Sequence, residues 1–516
     1  MKAGYLKTFK TLEETTAFWG AKPIITKVGA VKKEKTNPVT GEKKVKTRII
    51  VDAKQSRCSA ASHRTHKSNL PRVTDAVRGI LGLMQWDYQP GTVDVELLIA
   101  DVENAFWVVP LRHSERRFFV IKYRARYLVF LRTAQGSRGA PLSWAAMASV
   151  IFRVLQSLFV SPQSQEARLQ VYVDDPLAAL RGTQSRRKRL AAKLVAGAVV
   201  LGTRFAFAKA QLGKVVTWIG FTLDVRAWEV EVSIPVEKLR DIGATAASFQ
   251  DANVISVKAL RSFAGKTCNI SSLLHVWRPF LSQLWAALSE HAAGKSNAPK
   301  NCVWSKQILS TLAWLRAFID HQTGTLTRVF TYNSQFGLVS PLEITCDASV
   351  WGIGGWLSVA GAPISWFSDI ITKEDEAVLP HKRGEHEGQQ TFESLSLLVA
   401  TRLWSHLWRQ KRVRLCVRSD NRGALSVFSN LKSAGVGGTL IAREYALDLA
   451  ECSFQPSCIQ HVPGVANATA DALSRRTDPQ YAANWTLPAF LAYAKQATPP
   501  RRDSTWWKTL AIPAPP

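Results

Sequence analysis

Two adjacent acids, Asp174 and Asp175, directly follow the apolar, β-branched run Leu169-Gln170-Val171-Tyr172-Val173. Upstream, Val95 to Ala100 forms a second apolar run that ends in Asp101. Carboxylates crowded at the ends of buried strands repel one another and lose solvation, and a divalent cation is the usual compensation. Three carboxylates gathered from two strand ends suit a pair of Mg²⁺ ions about 4 Å apart, the arrangement used for in-line phosphoryl transfer. Asp174 alone reads equally well as an acidic surface turn.

A second set of acids stands further along. Asp347 closes the apolar run Leu342-Glu343-Ile344-Thr345-Cys346 and precedes the glycine-rich Gly352-Ile353-Gly354-Gly355. Glu393 sits in the first turn of a helical pattern from Thr391 to Trp408, with Glu385 and Glu387 nearby as weaker candidates. Asp420 follows the strand-like Val413 to Val417. His461 ends another strand-like run and leads through Val462-Pro463-Gly464 to Asp471. The elements follow one another as three strands, a helix, a strand, helices, a strand and a helix.

The elements that must position these residues belong to a large, basic chain. At 516 residues, two to four domains are expected, and 46% hydrophobic with 21% charged residues is a globular balance. Lys and Arg total 67 against 39 Asp and Glu, a net charge of +28, which points to a polyanionic partner. Residues 1–70 hold 16 of these cations and 5 acids. Two β-rich stretches, 23–30 and 43–52, read as a basic hairpin with its turn at Asn37-Pro38 to Gly41. The apolar helical pattern 142–159, the basic amphipathic pattern 185–200 and the strand-rich stretch 213–232 suggest an α+β unit. Helical patterns dominate from Pro235 onward. Seven cysteines without a CxxC pair read as reduced thiols. No window approaches 18 apolar residues and no signal-peptide pattern is present, so the expectation is an intracellular protein, cytoplasmic or nuclear, with no membrane partner.

The Tyr172-Val173-Asp174-Asp175 box and the Asp101-x4-Phe106 segment resemble the two metal-binding motifs of reverse transcriptases. Gln135-Gly136-Ser137-Arg138-Gly139-Ala140-Pro141 resembles the family's Gln-Gly loop, and Lys46-Thr47-Arg48 its triphosphate-facing fingers strand. Gly202 to Lys209 and Trp218-Ile219-Gly220-Phe221 are similar to its closing palm motifs. The second set of acids resembles the ribonuclease H fold. The run from His461-Val462-Pro463-Gly464 to Asp471-Ala472-Leu473-Ser474-Arg475 is similar to polyproteins of gypsy-type and DIRS-type retroelements.

The resemblance implies an α+β polymerase right hand followed by an α/β ribonuclease H-like domain with a mixed five-stranded sheet. Fingers and palm are expected over 1–232, a thumb over 233–296, a connection over 297–338 and the ribonuclease H domain over 339–480; the resemblance ends near 476, and 481–516 is expected to be a Pro-rich C-terminal tail, with 497–516 reading as a flexible segment or a remnant of a cleaved polyprotein. It implies two Mg²⁺ or Mn²⁺ at each site. Asp101, Asp174, Asp175 and the Val102 carbonyl would serve the polymerase, and Asp347, Glu393, Asp420 and Asp471 the nuclease. Arg48, Lys46, Phe106, Gln135 and Gly136 would bind the dNTP, with Phe106 excluding a 2′-hydroxyl. Lys209 would protonate pyrophosphate, and His461 would be the mobile nuclease histidine. RNA template, DNA primer and RNA–DNA hybrid are the implied partners. Pro176, directly after the acid pair, and Ser137-Arg138 depart from the family pattern. The competing readings are a nucleic-acid-binding remnant whose chemistry has decayed and a nuclease that does not polymerise.

Overall fold

The computed structural model describes residues 4–36, 43–63, 67–85, 88–134, 136–160, 165–336, 342–408, 414–451 and 455–511. The fold is mixed α/β, in two compact units, Met1–Val230 and Glu231–Pro516.

In the first unit, four antiparallel strands stand in the order Ala167–Tyr172, Asp175–Gly182, Asp94–Val102, Phe205–Gly213. The middle strand Asp175–Gly182 is buried without interruption from Pro176 to Leu180, and helices cover one face of the sheet. Ala140–Ser157 and Gln184–Val200 pack there around Trp144, Phe152, Leu155, Leu180 and Leu194. Pro141 near the start of the first helix costs no hydrogen bond, since the opening N–H groups have no helical acceptor. The basic stretch 23–52 is a two-stranded antiparallel ribbon, Val28–Thr36 with Lys43–Val51. Leu6–Phe9, Arg126–Phe130 and Val120–Tyr123 form a separate small sheet.

The second unit opens with helices Val236–Asp251, Val257–Ile270, Ser282–Ala292 and Leu309–Ile319, with Trp277, Phe280, Trp314 and Phe318 packed as an aromatic cluster. A mixed sheet follows in the order Gln455–His461, Arg414–Ser419, Leu342–Ala348, Gly352–Val359, Ala362–Ile370, Lys495–Gln496. It has six strands rather than five. The sixth comes from the region expected to be a Pro-rich tail, and it pairs in parallel with Ser365 and Trp366. Residues 481–511 run largely exposed but are pinned at buried anchors: Arg502 is 1% exposed, Trp507 is 1% exposed, and Leu491 is fully buried.

Helix Gln389–Leu403 is buried on all sides from Thr391 to Thr401. It lies between the sheet and the two helices Arg422–Asn430 and Val436–Glu451. Small residues permit this crowding: Ser396 Oγ donates to the Gly354 carbonyl at 3.0 Å, and a Cβ on Gly437 would come within 2.6 Å of Thr391. Among the described residues, no helix is long and apolar enough to cross a membrane.

Candidate active sites

The first acid group is built by two strand ends. Asp101 closes strand Asp94–Val102, and the pairing with Phe205–Gly213 shifts register between Ile99 and Asp101. Such an irregularity bends a strand and re-aims the side chain that follows. Asp174 and Asp175 occupy the tight turn joining Ala167–Tyr172 to Asp175–Gly182, where Tyr172 faces Asp175. Val173 opens that turn with φ 56°, a strained conformation for a β-branched residue, at a cost of about 1–3 kcal/mol. Its neighbours fix it there. Trp144 Nε1 donates to the Val173 carbonyl at 2.7 Å, Val102 N–H to the Asp174 carbonyl at 2.8 Å, and Trp218 Nε1 to the Asp175 carbonyl at 2.9 Å. Pro176 is accommodated because the ladder to Asp94–Val102 ends at Ile99 opposite Leu177, so its missing N–H is not needed.

Burial, a hydrogen bond to the Asp101 carboxyl and the negative charges of Asp174 and Asp101 push Asp175 up to about 7, while the Lys209 ammonium opposes the rise. Lys209 itself is exposed on strand Phe205–Gly213. Phe106 is half-buried in the turn Ala105–Val108, packed against the core beneath the sheet. Gly136 has φ 99°, and a Cβ there would stand 2.4 Å from the Val51 carbonyl oxygen, so this loop lies directly on the basic ribbon. Gln135 lies outside the described residues, as do the side chains of Lys46 and Arg48, whose backbones pair with Lys33 and Val31.

The second acid group is tighter. Parallel strands Leu342–Ala348 and Arg414–Ser419 pair Thr345 with Arg418, which brings Asp347 and Asp420 level at their carboxyl ends. Glu393 reaches them from the buried helix. Among the described residues, Asp347, Glu393 and Asp420 form the cluster whose carboxylate oxygens lie within 4.8 Å of one another. Asp347 is held by Ser474 Oγ at 2.8 Å and Asn467 Nδ2 at 3.2 Å. Gln389 Nε2 donates to Glu393 Oε1 at 3.2 Å, whereas the buried Oε2 has no partner. Burial raises Asp347 to about 7 against the Ser474 hydrogen bond, with the charges of Asp420 and Asp471 adding to the rise. Glu393 is driven well above the carboxylate range by burial and by Asp347 and Asp420.

Asp471 stands outside this cluster, on helix Ala468–Ser474, with Oδ1 2.8 Å from Arg475 Nε. His461 is exposed at the end of its strand, opposite Ser419. Gly464, on the loop between them, lies close enough that a Cβ would come 3.2 Å from Asp420 Oδ2. Sequence reasoning passed over Asn467, Ser474 and Gln389. Asn467 and Ser474 lie at i−4 and i+3 from Asp471, the spacing of one helix face, and Gln389 lies four residues before Glu393.

A set of three carboxylates with one bare, buried oxygen and two raised pKa values is chemically suited to a divalent cation, which would replace the protons that now relieve the repulsion. The first group offers three carboxylates, of which Asp101 and Asp175 already share a hydrogen bond, in a looser arrangement.

No protein-family model matches the chain, and no curated protein matches it in sequence. Among solved structures it is similar to a foamy viral protease-reverse transcriptase, dRH, in complex with double-stranded DNA, at TM-score 0.44 and 16% identity, covering 90% of this chain and 67% of that one. A foamy viral protease-reverse transcriptase with RNA/DNA hybrid gives TM-score 0.42 and 16% identity over 88% of this chain and 52% of that one. A further complex with double-stranded DNA gives 0.43 and 16% over 90% and 80%.

Proposed function

We propose that this chain is an RNA-directed DNA polymerase, also able to copy DNA, with a linked ribonuclease H that cleaves the RNA strand of RNA–DNA hybrids during retroelement replication. The observation that carries the reading is the presence on one chain of two separate acid groups, each assembled at strand ends by its own sheet. The motif resemblance and the net charge of +28 support it. In this reading fingers and palm occupy 1–232, the thumb 233–296, the connection 297–338 and the ribonuclease H domain 339–480.

Asp101, Asp174, Asp175 and the Val102 carbonyl would hold one pair of Mg²⁺ or Mn²⁺ ions, and Asp347, Glu393, Asp420 and Asp471 the other. Bound there, the ions supply charge neutralisation and Lewis acidity for in-line displacement at phosphorus. The protein's own residues do the rest. The turn at Val173, locked by Trp144, fixes where Asp174 and Asp175 point. Arg48 and Lys46 take the triphosphate, Gln135 and Gly136 support the incoming nucleotide, and the Phe106 ring blocks a 2′-hydroxyl. Lys209, near enough to lower the Asp175 pKa, delivers a proton to departing pyrophosphate. In the nuclease, Ser474 and Asn467 hold Asp347 in place, and Asp471 leaves Arg475 to complete the set. His461, next to the Asp420 strand end, moves a proton on product release.

A labelled poly(rA)–poly(dT) hybrid tests the pairing of activities. The full chain with Mg²⁺ shortens the RNA strand, and Asp420→Asn abolishes this while primer extension persists. Hybrid cleavage undiminished by Asp420→Asn would refute the assignment.

A further inference from the structure

Helix Ala468–Ser474 carries both Asp471 and the serine that holds Asp347, yet it is only seven residues long. Its last carbonyls are only partly satisfied by its own final turn, where Arg476 N–H reaches Leu473 O at 3.5 Å, and groups from outside complete them. Ser349 Oγ donates to Ser474 O at 3.0 Å from the turn after strand Leu342–Ala348, and Ser368 Oγ to Leu473 O at 2.7 Å from strand Ala362–Ile370. Ala472 O is taken at 2.6 Å by Trp485 Nε1, from the chain beyond the helix.

That later segment is anchored along its length. Leu491 packs with Leu473 and Trp366 in one buried cluster, against which Trp485 also lies. Lys495–Gln496 adds the sixth strand. The buried Arg502 guanidinium meets both Asp375 oxygens at 2.9 Å and donates to Ile370 O at 2.6 Å. Fully buried Glu444 accepts the backbone N–H groups of Lys508 at 3.1 Å and Thr509 at 2.7 Å. A guanidinium and a carboxylate buried this deeply are tolerated because each is fully paired, and losing either partner is expensive.

We infer that residues 485–509 act as a strap, with Trp485 as a positioning residue that holds the Asp471 helix where Ser474 and Asp471 can meet Asp347 for uptake of divalent metal. The inference rests on reading these acids as the nuclease metal ligands. Trp485 touches none of them. It acts through the Ala472 carbonyl and the Leu473 contact, one step behind the residues that hold Asp347.

Mn²⁺ binding to the full chain, followed by electron paramagnetic resonance, separates the alternatives, with the ions lost in Asp347→Asn defining the nuclease site. Trp485→Ala is expected to weaken those ions by roughly tenfold, the usual order for outer-shell partners. Trp485→Phe, which keeps an aromatic ring in the cluster but removes the indole donor and part of its bulk, weakens them less. The Mg²⁺ concentration for half-maximal hybrid cleavage rises in the same order, the maximal rate recovers at saturating Mg²⁺, and primer extension by the same preparations is unchanged. An unchanged Mn²⁺ affinity in both variants, with only the maximal rate lowered, would overturn the inference. If Trp485→Ala fails to fold, as loss of a cooperative thermal unfolding transition from the purified variant would reveal, Trp485→Phe decides alone. Absence in the unmutated chain of any Mn²⁺ site sensitive to Asp347→Asn would instead remove the nuclease reading, and the inference with it.

Discussion

At the scale of single residues, the chemistry lies in carboxyl groups held under unfavourable conditions. Asp347 titrates near 7 in the folded chain against an ordinary value of 3.8, chiefly because it is buried. In the window from 3.8 to about 7 the folded protein therefore keeps a proton that the unfolded chain releases. Stability without metal declines as pH rises through that window, and the loss is complete above it. Asp347→Asn removes the charge and keeps the shape. In chelator, the variant should melt with the unmutated chain at pH 3.5 and about 2–4 °C above it at pH 8, the shift expected for roughly 1 kcal/mol in a unit of this size. Mg²⁺ at pH 8 should raise the melting temperature of the unmutated chain more than that of the variant, which keeps only the Asp101, Asp174 and Asp175 group intact. Equal melting of the two proteins at pH 8 would show that Asp347 is not under electrostatic strain.

At the scale of elements, close approach is set by missing side chains. A Cβ on Gly354 would lie 2.5 Å from Leu473 Cβ and 2.6 Å from the Ser474 backbone nitrogen. Gly354→Ala must therefore push the Asp471 helix off the sheet. Hybrid cleavage should fall by 10²-fold or more, about the loss expected for ångström-scale misplacement, with primer extension retained. Cleavage assays on the purified variant check this, and near-normal cleavage would contradict it. The placement of the acids was legible in the sequence because Asp101, Asp174 and Asp347 each end an apolar run and Asp420 closely follows a strand-like one, and strand ends are where a sheet delivers side chains to a site. The glycine run after Asp347 lies in the strand that returns antiparallel beside Leu342–Ala348, and its reason is the helix packed across it. Val173 gave no signal, since the left-handed turn is imposed by Trp144 and Val102 from other elements. The strap was illegible too. Prolines and tryptophans without periodicity read as a tail, while Arg502 finds Asp375 127 residues away.

At the scale of the whole molecule, charge and the two acid groups have separate consequences. Cations in excess by 28, many of them near the N-terminus, favour phosphate contacts that carry no base information. Affinity for primer-template duplex should therefore fall by roughly 10²-fold or more between 50 and 200 mM salt, and by the same factor for unrelated sequences. Fluorescence anisotropy over that range measures it, and strong sequence dependence or salt indifference would count against a backbone-reading surface. The central claim is template-directed DNA synthesis at the Asp101, Asp174 and Asp175 group. Its most direct test is incorporation of labelled dTTP on poly(rA)–oligo(dT) with Mg²⁺, comparing the unmutated chain with Asp174→Asn. The account predicts incorporation that Asp174→Asn abolishes. Folded protein that binds the duplex yet incorporates nothing with Mg²⁺ or Mn²⁺, or that incorporates equally well with Asp174→Asn, would contradict it.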